Sequence, residues 1–159
     1  MARERHGLQN WSMSDVFAEL ERFKANSKLF SLMDDAGIHR LANIAASVTF
    51  TPAAPVISEG ELGTSFYLII TGGVRVSVDG LEGAKEVARL GPGAFFGEMA
   101  VLNSEPRTAS VAAIGELRCL EFEKEAVLAV LADYPRVREI LGVVGLRRAE
   151  ALLDAQFKD

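Results

Sequence analysis

From Val48 to Phe122 the chain is cut by Gly and Pro into pieces too short for ordinary helices. Those pieces are rich in β-branched and aromatic residues, which favours strands. The readable ones are Val48–Thr51, Val56–Ser58, Ser65–Thr71, Val74–Val78, Glu86–Leu90, Ala109–Ala113 and Arg118–Phe122. Seven or eight short strands with turn residues between them predict an antiparallel sandwich, roll or barrel and exclude a parallel α/β sheet. The period is helical on either side. Upstream, Val16, Phe17, Leu20 and Phe23 mark a helix from an N-cap at Ser14 to about Ala25, and Ile38, Leu41, Ile44 and Ala45 mark another. Downstream, Val127, Leu128 and Leu131 form one segment, and Val137, Ile140, Leu141, Val144, Leu146, Leu152 and Leu153 form a second, divided from the first by Pro135. The expected fold is α+β: a loose terminus over 1–12, helices over 13–47, a β-roll over 48–123 and helices over 124–159.

A length of 159 residues holds one domain, and 49% hydrophobic with 25% charged residues is an ordinary globular composition. The net charge of −5 gives no general attraction to nucleic acid or anionic lipid, so any bound anion needs a local site. A lone cysteine, Cys119, and a polar, charged start without an apolar signal core lead us to expect a reducing, cytoplasmic setting. No apolar run approaches a membrane span.

One stretch departs from the strand pattern. Gly97 is followed by the helix-forming run Glu98-Met99-Ala100-Val101-Leu102, and Arg107 comes just after Pro106. A helical turn there would begin with free N–H groups and a positive dipole end, and Arg107 adds a forked donor suited to phosphate oxygens. Glu98 would repel a phosphate but accept a hydrogen bond from a sugar hydroxyl, so the set describes a sugar phosphate. Read on residues alone, Glu98 and Arg107 could equally pair with each other across the turn. Gly91-Pro92-Gly93 with Gly97 is off the dinucleotide spacing and precedes no long crossover helix, and a P-loop is absent from the sequence.

Phe96-Gly97-Glu98-Met99-Ala100-Val101-Leu102 with Pro106-Arg107-Thr108-Ala109-Ser110-Val111 resembles the phosphate-binding cassette of cyclic nucleotide-binding domains, here residues 96–111. Glu59-Gly60-Glu61, Tyr67-Leu68-Ile69 with Gly72, and Leu90-Gly91-Pro92-Gly93 extend the resemblance, which covers roughly Leu29 to Leu153. It implies an eight-stranded antiparallel β-roll, cupin-like in outline, flanked by helices. It also implies that Glu98 accepts from the ribose 2′-hydroxyl, that Arg107 meets the cyclic phosphate, and that main-chain amides near Gly97, Met99 and Ala100, with the Thr108 amide and hydroxyl, complete the cradle. Val76, Ala88 and Leu90 would then line the base, and Arg148 on the last helix would stack over it; each has a plainer reading as core or as a solvated Arg. Thr64 departs from the family, in which an acidic residue is common at that place.

The implied ligand is cyclic AMP, with cyclic GMP as the alternative because Thr108 also resembles guanine-contacting receptors. Metal and cofactor are not expected. The resemblance further implies a sensor whose C-terminal helix swings on ligand binding and signals to a partner protein or effector domain, as a monomer or homodimer. Without a following helix-turn-helix, DNA binding is not expected. Two alternatives stand: an interaction module with a degenerate cassette, and a small cupin-like enzyme. The enzyme is disfavoured because His6 and His39 both lie outside the roll, which leaves no His triad for a metal.

Overall fold

The computed structural model describes residues 3–6, 12–26, 29–103 and 106–157. In chain order the elements are β1 (Arg3–His6), α1 (Met13–Asn26), a 3-10 turn (Phe30–Leu32), α2 (Asp35–Ile44), β2 (Ala46–Phe50), β3 (Pro55–Ile57), β4 (Ser65–Gly80), β5 (Gly83–Leu90), β6 (Phe95–Phe96), α3 (Glu98–Asn103), β7 (Ser110–Glu123), α4 (Lys124–Leu131) and α5 (Pro135–Phe157). The strands form an antiparallel sheet in the order β1-β2-β7-β4-β5, with β3 on β7 and β6 on β4. The α+β roll with flanking helices is therefore observed.

The roll hangs on β4 and β7, which pair from Ser65 opposite Glu123 to Ser77 opposite Ser110. Each long strand takes in two of the short strands expected from the sequence. The break expected at Thr71–Gly73 is a register shift instead of an end. Gly72 makes that irregularity with φ +87°, and a β-carbon there would lie 2.3 Å from the Glu116 carbonyl oxygen. Splitting β4 and β7 at their bends recovers the expected eight strands of the roll, with β6 as the one the sequence did not mark.

Both faces of the first half of β4 are buried, which is why Phe66–Ile70 reads as an unbroken apolar run. Phe66, Leu68 and Ile70 join Leu120 and Phe122 of β7 against the helices, packing with Val16, Leu20, Ile38 and Leu141. Tyr67 and Ile69 point the other way and join Val48, Phe50, Leu117 and Cys119 inside the roll. The Cys119 thiol is pushed up to about 12 by that burial, which leaves it protonated and unreactive at neutral pH.

Two expectations at the N-terminus are corrected. Arg3–His6, expected to be loose, pairs with β2 in the register Arg3 to Phe50 through His6 to Ser47. A strand recruited by main-chain bonding at a sheet edge needs no apolar alternation, so four polar residues gave no signal. The cap of α1 is Ser12, not Ser14: Ser12 Oγ accepts from the Asp15 amide at 3.1 Å, and Asp15 Oδ2 accepts from the Ser12 amide at 3.0 Å. Trp11 lies outside the described residues.

Candidate ligand-binding site

A cavity of about 400 Å³ opens between the roll and α5, within the usual size range of small-ligand pockets. Of the residues expected in the site, Val76, Ala88, Leu90, Gly97, Glu98, Arg107, Thr108 and Arg148 all line it. Met99 and Ala100 lie in the first turn of α3, and their side chains fall outside the described residues.

The chain folds locally to put Arg107 at the floor. Its amide donates to Glu61 O at 2.7 Å and its carbonyl accepts from the Gly60 amide at 2.8 Å, so the backbone is laced to the loop before β4. The side chain is only 9% exposed. Nη1 donates to Gly97 O at 3.1 Å and Nη2 donates to Ser65 O at 2.8 Å. Both partners are neutral carbonyls, and among the described residues no carboxylate pairs with this guanidinium. Burial accordingly pulls the Arg107 pKa down, against the attraction of Tyr67, Glu61, Glu98 and Glu121. A buried cation without a counter-charge is costly, and an anion in the cavity removes that cost.

Gly97 gives the turn from β6 into α3 its φ of +88°, and a β-carbon there would stand 2.9 Å from Arg107 Nη1 and 3.0 Å from Ser65 O. Glu98 follows at the start of α3, almost wholly buried. The pairing of Glu98 with Arg107 that the sequence left open does not occur. Glu98 Oε1 accepts from Arg148 Nη1 at 2.9 Å, and the same nitrogen donates to Phe95 O at 2.8 Å. The Arg148 guanidinium carbon lies 4.8 Å from the centre of the Phe95 ring. Arg148 thus reaches the pocket as expected but lies on Phe95 and Glu98, tying α5 to the mouth of the cavity.

Other lining residues escaped the sequence reading. Ala109 and Val111 follow Arg107 at period two on the same side of the chain, and Ala151 follows Arg148 by three on α5, so periodicity could have found them. Lys85, Glu86, Val87, Ile57 and Phe96 complete the wall. Glu86 is held by Arg89 at 3.0 Å and lies 3.8 Å from Arg75, and the Arg89 bonds hold its carboxyl below the usual glutamate value.

An antiparallel roll that encloses a small-ligand cavity over a buried cation, with a helix closing the mouth, defines a ligand-binding module. Residues 47–134 match the family model described as "Cyclic nucleotide-binding domain". The chain belongs to that family. It is 31% identical over 121 residues to a cGMP-dependent protein kinase of Toxoplasma gondii, covering 76% of this chain and 12% of the relative. It is 29% identical over 130 residues to the CRP-like cAMP-activated global transcriptional regulator of Mycobacterium tuberculosis, covering 81% of this chain and 58% of that protein. The chain thus spans 12% and 58% of these two curated relatives, less than two thirds of either. Its fold superposes on the regulatory domain of Toxoplasma gondii PKA with cAMP at a TM-score of 0.75, with 24% identity, over 84% of this chain and 51% of the other. Among the described residues no helix is long and apolar enough to cross a membrane.

Proposed function

We propose that the cavity binds a cyclic nucleotide, cyclic AMP in preference to cyclic GMP, and that occupancy is passed through the helices outside the roll to a partner protein or effector domain. Arg107 carries this reading: it is a buried guanidinium whose partners among the described residues are neutral carbonyls, and it faces a cavity of nucleotide size. A cyclic phosphodiester has one negative charge, which one guanidinium and nearby main-chain amides can balance. In this arrangement Glu98 accepts from the ribose hydroxyl, and amides from Gly97 to Ala100 and at Thr108 take the remaining phosphate oxygens. Val76, Ala88 and Leu90 pack on the base. Arg148 is the moving part, exchanging its bond to Glu98 for the edge or face of the base and carrying α5 with it.

The preference for cyclic AMP rests on the run Arg107-Thr108-Ala109-Ser110-Val111. The names of the curated relatives include both a cAMP-activated and a cGMP-dependent protein, which supports the ligand class and leaves the base to experiment. The module in this reading binds its ligand without turning it over, because Glu86 is held by Arg89, and Glu98 is engaged by Arg148 before binding and by the ribose hydroxyl after it. A cytoplasmic setting fits the free, buried thiol of Cys119.

Calorimetric titration of cyclic AMP, cyclic GMP and linear 5′-AMP into wild type and Arg107→Ala tests the reading. Wild type is expected to bind a cyclic nucleotide at micromolar or better, and the variant to lose about 2 to 5 kcal/mol, roughly 30-fold to a few thousand-fold. Equal affinity in the two proteins overturns it. A second reading, an interaction module that no longer takes a nucleotide, draws on the Arg148–Glu98 pair, which already fills one acceptor oxygen of Glu98. Folded wild type that ignores both cyclic nucleotides at millimolar concentration selects that second reading.

A further inference from the structure

We propose that Gly63 is a positioning residue for the cation of the cavity: its missing side chain makes the slot in which the Arg107 guanidinium lies flat against main chain and keeps its remaining N–H groups for the ligand. A β-carbon on Gly63 would stand 2.1 Å from Arg107 Nε, 2.2 Å from Cζ and 2.6 Å from Nη2. These are impossible contacts, and the guanidinium cannot simply slide aside, since Nη1 and Nη2 are anchored on Gly97 O and Ser65 O. Gly63 does not have the positive φ of Gly60, Gly72 or Gly97, so left-handed backbone is not the reason for glycine there. Clearance for Arg107 is what demands glycine there. Arg107 is also laced by its own backbone to Gly60 and Glu61, so slot and cation sit on one rigid loop. Any side chain at position 63 therefore pushes the charge off the floor of the cavity without touching the ligand.

The inference rests on the reading of the cavity as an anion site. Lysine has Cε and Nζ where arginine has Nε and Cζ, but it lacks the fork that anchors the guanidinium on both Gly97 O and Ser65 O and is free to swing away from a β-carbon, so the cost of Gly63→Ala depends on which cation stands at position 107. Cyclic AMP is titrated into wild type, Gly63→Ala, Arg107→Lys and the double variant, with Gly91→Ala as control, because Gly91 has open space around its β-position. Gly63→Ala is expected to weaken binding roughly 10-fold or more in the arginine background and less than about 2-fold in the lysine background. Equal losses in both backgrounds overturn the proposal. Side-chain nitrogen spectra of the ligand-free proteins give a readout that needs no ligand: the Arg107 guanidinium signals, assigned by their loss in Arg107→Lys, move in Gly63→Ala and stay in Gly91→Ala. Unmoved signals in a folded Gly63→Ala protein overturn the slot. If wild type ignores cyclic AMP while the signals move, the ligand assignment falls and the slot stands.

Discussion

At the scale of single residues the site is organised by two arginines of opposite character. Arg107 is buried on neutral carbonyls with no carboxylate paired to it among the described residues, whereas Arg148, about a third exposed, already has one in Glu98. Removing Arg148 leaves the nearly buried Glu98 without its cation, so Arg148→Ala is expected to cost about 1 to 3 kcal/mol of stability in ligand-free protein. Arg147→Ala, one residue away on the exposed side of α5, should cost almost nothing. Urea melts check this, and equal midpoints for the two variants would refute the latch. Glu98→Gln keeps the shape but loses the charged acceptor, and is expected to weaken cyclic AMP binding roughly 10-fold or more in the same titration. The identity of Glu98 and Arg107 as site residues was legible because their spacing sits inside an unusual Gly-started helical run. The partner of Glu98 was not legible, since a contact with Arg148 fifty residues away depends on where α5 lands.

At the scale of elements, α2 is clamped to the joint between α4 and α5. Asp34, the N-cap of α2, accepts from the Gly37 amide at 2.8 Å and from the Tyr134 hydroxyl at 2.5 Å. Arg40 of α2 donates to Asp133 at 2.6 Å and to Ala129 O at 3.1 Å. Tyr134 immediately precedes Pro135, the first residue of α5, so a swing of that helix, as proposed above, would be felt at α2. Tyr134→Phe should loosen this coupling: cyclic AMP would still bind, but amide-exchange changes in α2 on binding would shrink relative to wild type. The Tyr134 hydroxyl, followed by the Gly37 amide, holds the Asp34 carboxyl below its usual value. A depressed carboxylate stabilises the fold above its ordinary pKa and loses that contribution as pH falls through the folded value. The difference in melting temperature between wild type and Tyr134→Phe should therefore be largest near neutral pH and close as pH drops below the aspartate range. The helices and the roll were legible from period and punctuation. The merging of short strands into β4 and β7 was not, because the residues around Gly72 and Gly115 read as turns and only pairing across the sheet shows the chain running on.

At the scale of the whole molecule, the helices and the roll share β4 as a common wall, so a ligand held by the cassette should stabilise the chain as one unit. At a hundredfold excess over Kd, mass action adds about 2.7 kcal/mol, or roughly 5 to 10 °C in melting temperature for a chain of this size. A single, shifted transition in calorimetry is the expected result; a split transition with only one part shifted would show that roll and helices melt apart. The same sheet has two borders. On one side β1 lies along β2, and on the other β5 ends the order while also lining the cavity. Such a border offers main-chain donors and acceptors to any passing strand, and β5 carries Lys85, Glu86 and Arg89 along it. The strand that gives the pocket its apolar wall through Ala88 and Leu90 is thus also a border of the sheet, and charged side chains along such a border disfavour the edge-to-edge pairing of copies that an apolar border invites.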